Sequence, residues 1–249
     1  MLTRTELIAA LQAALEPLPY VYALWEGGSA AFGRLDGYSD LDLQLVVDDE
    51  QADEAMQVIT DTLAALSPIT HRYDVPQPAW HGHTQSFFRL RDASEFLLVD
   101  CAVMKLSNPN RFLEREIHGQ PLVYFDKTGV TAAPAWDGAA WEMRVARRRA
   151  DLREMLPIFA NFPEKELQRG QAIDALGYYN GLLVRSLVEL LRLRHDPTRH
   201  HFGLRYLYHI LPAQEVARLE PLCFVADAAD LRRKTAAVLA WCEELLGYQ

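Results

Sequence analysis

Strand-like runs stop at one point in this chain and do not return: six lie between residues 20 and 125, and from Ala139 onward every patterned stretch has helical periodicity. A switch of period from 2 to 3.6 obliges the two parts to bury their apolar faces differently, first as a sheet with helices against it, then as helices packed on helices. The strand-like runs are 20–25, 41–47, 69–75, 86–90, 96–104 and 119–125, the last read as an edge strand. Residues 3–16 place Leu7, Ile8, Leu11 and Leu15 on one helical face ahead of Pro17 and Pro19, and 51–66 repeats the pattern up to Ser67-Pro68. A small-residue linker, 131–138, follows. Beyond it, helical periodicity covers 140–160, 164–194, 201–211, 213–220 and 227–246, punctuated by Pro163, Pro197 and Pro221. The expected fold class is α+β, a mixed-sheet domain over 1–130 and then an all-α bundle over 139–249.

Charge divides the chain at the same place. Residues 1–140 hold 9 Lys/Arg against 20 Asp/Glu and residues 141–249 hold 16 against 14, so the net charge of -9 conceals an acidic half and a mildly basic one. That balance argues against a general nucleic-acid coat. It suits cations held by carboxylates in the first half and an anionic ligand received by the second. An apolar fraction of 50% is enough for packed cores and excludes disorder. Cys101, Cys223 and Cys242 are too scattered for a disulfide framework or a zinc pattern, which points to a reducing compartment. With no signal-type segment among the first residues and no run of membrane-spanning length, the protein is expected to be soluble and cytoplasmic.

The chemistry concentrates in Gly27-Gly-Ser-Ala-Ala-Phe-Gly-Arg-Leu-Asp-Gly-Tyr-Ser-Asp-Leu-Asp-Leu43. Asp40 and Asp42 lie two apart at the start of a strand, and strand side chains alternate faces, so both carboxylates project to one side. Alone, such a pair reads equally as solvated charges at a strand entrance; in a site that cannot fully hydrate them, anions this close raise a pKa or bind a cation, and hard oxygen ligands favour magnesium or manganese. Upstream, Gly27 and Gly28 let the backbone approach a ligand and Ser29 adds a hydroxyl. The helix expected next points N–H groups into the turn, where an anion belongs. A phosphate would bridge the turn and the metal-bearing carboxylates, with Arg34 and Ser39 as further donors.

Taken together, these residues resemble the polymerase-beta-like nucleotidyltransferase superfamily, whose signature is an apolar strand, Gly-Ser, a short spacer and Asp-apolar-Asp-apolar. Here Gly28-Ser29 is followed by Asp40-Leu41-Asp42-Leu43. The family's third acid, on a later apolar strand, falls on Asp100 within Leu98-Val-Asp-Cys-Ala102, with Glu95 in the preceding turn as the other candidate. An aspartate in so apolar a run is costly unless paired or metal-bound. The resemblance implies two Mg2+ or Mn2+ ions on Asp40, Asp42 and Asp100 and an NTP or dNTP as substrate. It also implies transfer of a nucleoside monophosphate to an acceptor hydroxyl with loss of pyrophosphate. In that scheme Asp100 can serve as general base, and Lys105, at the far end of the same strand, is a candidate phosphate ligand alongside Gly28, Ser29, Arg34 and Ser39.

The helical half looks like the bundles that follow such cores in aminoglycoside nucleotidyltransferases and in the minimal nucleotidyltransferase plus HEPN pairs of prokaryotes. The resemblance therefore implies a HEPN-like acceptor-binding bundle. The acceptor stays open between a small molecule such as an aminoglycoside and a nucleic-acid 3′ end. Asp174, Tyr178 and Arg185 fall near one stripe of a long helix over 171–186. Arg148, Arg194 and His200 belong to two arginine- and histidine-rich clusters, 144–153 and 192–205. These clusters read either as a positive wall for nucleic acid or a triphosphate, or as salt bridges to residues such as Asp151, Glu154 and Glu189. Arg194 followed by His200 also satisfies the loose Arg…His spacing of HEPN ribonucleases, so an RNA-cleaving protein is one alternative and a catalytically silent nucleotide-binding module another. His81-Gly-His83 reads as a surface loop, because two histidines without a third ligand make a poor zinc site.

Overall fold

Thr3 opens the first helix with a capping box: its hydroxyl accepts the Glu6 N–H while the Glu6 carboxylate takes the Thr3 N–H at 2.8 Å. The helix so started, α1 (Arg4–Leu15), buries Leu7, Leu11 and Leu15, as its periodicity predicts. The computed structural model describes residues 1–247 and divides the chain into two units, Met1–Trp136 and Asp137–Gln249. The last two positions of the span 139–249 lie outside the described residues.

In the first unit, β1 (Val21–Glu26), the single turn α2 (Gly28–Ala31), β2 (Leu41–Val47) and α3 (Ala52–Leu66) follow α1. Then come β3 (Ile69–Asp74), β4 (Thr84–Leu90), β5 (Val99–Lys105), the turn α4 (Arg115–His118) and β6 (Leu122–Asp126). The six strands form one mixed sheet in the order β3-β4-β5-β2-β1-β6, parallel only between β2 and β5 and antiparallel elsewhere. β6 closes one edge. The core on one side joins Leu7, Leu11 and Leu15 of α1 and Met56, Ile59 and Leu63 of α3 to Leu41, Leu43, Leu45, Val99, Cys101 and Val103 of the two central strands. A smaller cluster of Ala23, Trp25, Val46, Met104 and Leu113 forms on the alternate positions. β5 begins three residues later than its apolar run predicts: Phe96 is half exposed, while Leu97 turns into the core.

The second unit is helical throughout: α5 (Gly138–Phe159), α6 (Phe162–Gln168), α7 (Ala172–Tyr178), a π-turn (Tyr179–Val184), α8 (Arg185–His195), a 3-10 turn (Pro197–Phe202), α9 (Leu207–Ile210), α10 (Ala213–Leu219), a second 3-10 turn (Glu220–Cys223) and α11 (Ala228–Leu246). Its core gathers Leu152, Tyr179, Leu183, Leu187, Leu191, Val238 and Trp241, and the Tyr179 hydroxyl donates to the Leu222 carbonyl at 2.6 Å. Two expectations are corrected. The stretch 164–194 breaks between α6 and α7, where Gly170 takes φ +75°, and 201–211 is helical only in α9, because Pro197 and Gly203 (φ +61°) hold the preceding residues in a tight turn. The fold class is α+β. Among the described residues no helix is long and apolar enough to cross a membrane.

Candidate active site

Asp42 and Asp100 are direct partners in the parallel register of β2 and β5, so their side chains stand next to each other on one face of the sheet. Parallel strands at the centre of a sheet are the most enclosed, and β2 and β5 are mostly apolar, with Asp42 and Asp100 as their acidic positions. Asp40 lies just before β2, where its Oδ1 accepts the Leu98 N–H at 3.3 Å while Leu41 N–H donates to the Leu98 carbonyl at 2.8 Å. The three acids therefore line the same strand ends. Burial pushes the Asp100 carboxyl up to about 6, the negative charges of Asp42 and Asp40 push the same way, and a 2.7 Å hydrogen bond from the Gln85 amide to its Oδ1 opposes them.

The glycine turn is built onto this pair. Gly27 N–H donates to the Asp42 carbonyl at 2.9 Å. Gly28 has φ +52°, and a Cβ there would lie 1.7 Å from Asp42 Oδ2, so a side chain is excluded by backbone angle and by space alike. The sequence spacing of Gly28 and Asp42 is thus one object in space: the carboxylate rests on the bare glycine. The helix expected after the turn is only four residues long, too short for the dipole argument that sequence reading attached to it. Ser29 sits in that turn, its carbonyl accepting the Arg34 N–H at 2.9 Å.

A clasp of residues that motif reading passed over holds the turn and the strand entrance in place. Glu26, the last residue of β1, is buried yet ion-paired to Arg4 of α1, and Tyr124 of β6 donates to its Oε2 at 2.5 Å. Burial and that bond to Glu26 push the Tyr124 hydroxyl up. Arg4 also donates to the carbonyls of Ser39, at 3.2 Å, and Asp40. Nothing local in the sequence marks Arg4, since its partners lie far along the chain; the one available signal was a glutamate ending an apolar strand.

The other predicted ligands are placed less centrally. The Ser39 hydroxyl donates to Asp36 Oδ1 and accepts the Asp36 N–H, both at 2.9 Å, closing a local turn, and the Arg34 guanidinium lies 5.3 Å from the Phe32 ring centre. Lys105 is a correction: five positions beyond Asp100 on one strand, it stands about 17 Å along it and on the opposite face. The three-acid metal site expected on Asp40, Asp42 and Asp100 is not preformed, because among the described residues no group of three His, Cys, Asp or Glu side chains is arranged to hold an ion. The donor set still suits a divalent cation. Two carboxylates stand side by side with a third two residues away, and Asp100 is raised chiefly by burial, to which the charges of Asp42 and Asp40 add. His83 is corrected as well, being fully buried with its Nε2 on the Asn110 carbonyl at 2.7 Å rather than on a surface loop.

In the helical unit the predicted acceptor residues separate into three places. Arg148 grips Glu189 through two bonds, of 2.7 and 2.8 Å, and His200 Nδ1 meets the same carboxylate at 3.1 Å. Burial alone would raise Glu189, yet these two partners hold it down at about 2. Arg194 turns instead to Glu215, at 3.8 Å. Asp174 and Tyr178 line a separate groove, because the π-turn after Tyr178 inserts an extra residue and rotates Arg185 off their stripe, toward the Arg148–Glu189–His200 cavity. Of the two readings of the basic clusters, Arg148 takes the expected salt bridge to Glu189, and several other arginines turn inward rather than into a positive wall. Arg192 is fully buried, donating to the carbonyls of Gly203 (2.7 Å), Arg199 (3.3 Å) and Arg205, while Arg149 and Arg153 reach the carbonyls of Leu245 and Leu246 that end α11.

No family model matches the chain, and no curated protein does. Solved structures give a looser likeness. A Bacillus subtilis aminoglycoside 6-adenyltransferase aligns at TM-score 0.40 and 10% identity over 99% of this chain and 90% of its own. Spectinomycin adenyltransferase AAD(9) from Enterococcus faecialis, solved with ATP and spectinomycin, aligns at 0.35 and 11% over 99% and 97%. The STING-associated CdnE c-di-GMP synthase of Capnocytophaga granulosa aligns at 0.32 and 15% over 98% and 80%. So loose a likeness leaves the function to the chain's own residues.

Proposed function

We propose that this protein is a metal-dependent nucleotidyltransferase, moving a nucleoside monophosphate from an NTP or dNTP to an acceptor hydroxyl. The observation that carries this reading is the in-register pair Asp42–Asp100 with Gly28 pressed against Asp42. Asp42 and Asp100, with Asp40 beside them, would hold magnesium or manganese, two ions in the full form of the reading. When bound, such ions neutralise triphosphate charge and acidify an acceptor hydroxyl. Gly28 lets the turn close onto the Asp42 carboxylate, and Ser29, the next residue of that turn, offers a hydroxyl to a phosphate oxygen. Gln85 fixes Asp100 through Oδ1, leaving Oδ2 to take the acceptor's proton. The acceptor oxygen then bonds to the α-phosphorus as the bond to the β-phosphate bridge breaks, and pyrophosphate leaves.

Most arginines of the supposed wall are committed inside the helical unit, which supports a small-molecule acceptor over a nucleic-acid 3′ end. The ribonuclease alternative lacks comparable support, since Arg194 and His200 engage different carboxylates. The test is incubation of the full chain with each α-labelled triphosphate, magnesium or manganese, and small-molecule, primer and protein acceptors. Label transfer to an acceptor is expected, reduced at least about a hundredfold in Asp40→Asn/Asp42→Asn. A double variant that keeps its rate removes the reading, and nucleotide binding without transfer by the wild type would leave the silent module.

A further inference from the structure

We propose that the groove at the junction of α7 and the π-turn binds a small organic cation with an apolar body. The groove encloses about 710 Å³, inside the range of small-molecule sites. Its walls are aromatic and aliphatic. Phe162 stands edge-on to both Phe159, with ring centres 5.2 Å apart, and Tyr178, at 5.1 Å, while Ile173 is 87% exposed at the rim. The one charged side chain in the lining is Asp174, which takes no hydrogen bond or ion pair from any described residue.

The floor supplies an independent argument. Gly177 and Gly181 lie one turn apart in a helical run, where each glycine costs about 1 kcal/mol against alanine. Neither has a positive φ, and a Cβ on either meets nothing within 4 Å. Backbone geometry and packing therefore give no reason for glycine at either position; what both preserve is the depth of the groove. Gly181 also sits within the π-turn, a helix defect that gathers at functional sites.

The Lys165 ammonium already lies 5.2 Å from the Phe162 ring centre, so the single carboxylate of Asp174 and the remaining aromatic surface are what recognise positive charge, and the apolar walls recognise the body that carries it. An anion would be repelled by Asp174. A heavily hydroxylated polyamine would leave polar groups unpaired against Phe159, Phe162 and Ile173. The proposal is independent of nucleotidyl transfer, because binding is measured without nucleotide.

Berberine, a flat apolar cation whose fluorescence rises as it leaves water, is the probe, titrated into the full chain with the anionic dye ANS as competitor. One saturable site is expected, weakened about fivefold in Asp174→Asn, lost in Gly177→Leu, and not displaced by ANS. Asp174 is exposed, so its variant tests the idea even if Gly177→Leu does not fold. Wild-type affinity in Asp174→Asn, or displacement by ANS at matching concentration, overturns the proposal. So does a sedimentation profile showing dimers that Gly177→Leu abolishes, since the groove then belongs to a second copy of the chain.

Discussion

Asp100 combines a cost to the fold with a use in the site. The folded carboxyl keeps its proton up to about pH 6, whereas an unfolded one releases it near 3.8. Folding therefore takes up a proton between those values, so stability falls as pH rises from about 4 to 6 and stays lower above. The full penalty is at most about 3 kcal/mol. Asp100→Asn removes it and keeps an oxygen for Gln85, so in EDTA at pH 7 thermal denaturation should show a melting point several degrees above wild type, about 2–4 °C per kcal/mol, while transfer activity disappears. A lower melting point in EDTA would mean that the site is not electrostatically strained. This residue was legible in the sequence because an acid inside an apolar run demands a reason. Arg4 was not, because its place in the site depends on contacts with Glu26, Ser39 and Asp40 that no local pattern encodes.

At the scale of elements, the clasp ties α1, β1 and β6 to the entrance of β2. Arg4→Met leaves Glu26 charged and buried without its partner, and the first unit should lose about 3 kcal/mol in denaturant unfolding. Adding Glu26→Gln should recover part of that loss; full additivity of the two changes would mean that the residues do not act as a pair. In the second unit, burial opposes the charge of Glu189 but Arg148 and His200 outweigh it, so the carboxylate contributes stability that is complete above about pH 4.5 and lost as pH falls through about 2. Glu189→Gln is therefore expected to cost about 2 kcal/mol at pH 7, with the gap to wild type closing below pH 4. A gap independent of pH would place the effect in packing instead. Elements with one clean period, α1, β2 and α3, stood out in the sequence. The π-turn after Tyr178 did not, because one inserted residue leaves composition unchanged while rotating everything after it, which is why Asp174 and Arg185 seemed to share a stripe.

Across the whole molecule, the change of period after residue 125 and the asymmetry of charge anticipated a sheet unit and a helical unit, each with its own core. What the second half does with its arginines was not legible, since a run of positive charge reads alike whether it faces solvent or, as with Arg192, satisfies buried carbonyls. The central claim is narrower than either unit: carboxylates on β2 and β5 gather divalent cation and nucleotide at a bare glycine. Calorimetry of ATP with the full chain measures this directly. Saturable binding with magnesium is expected, lost in EDTA and in Asp42→Asn; binding that persists unchanged in Asp42→Asn, or no binding by the wild type with magnesium present, would contradict it.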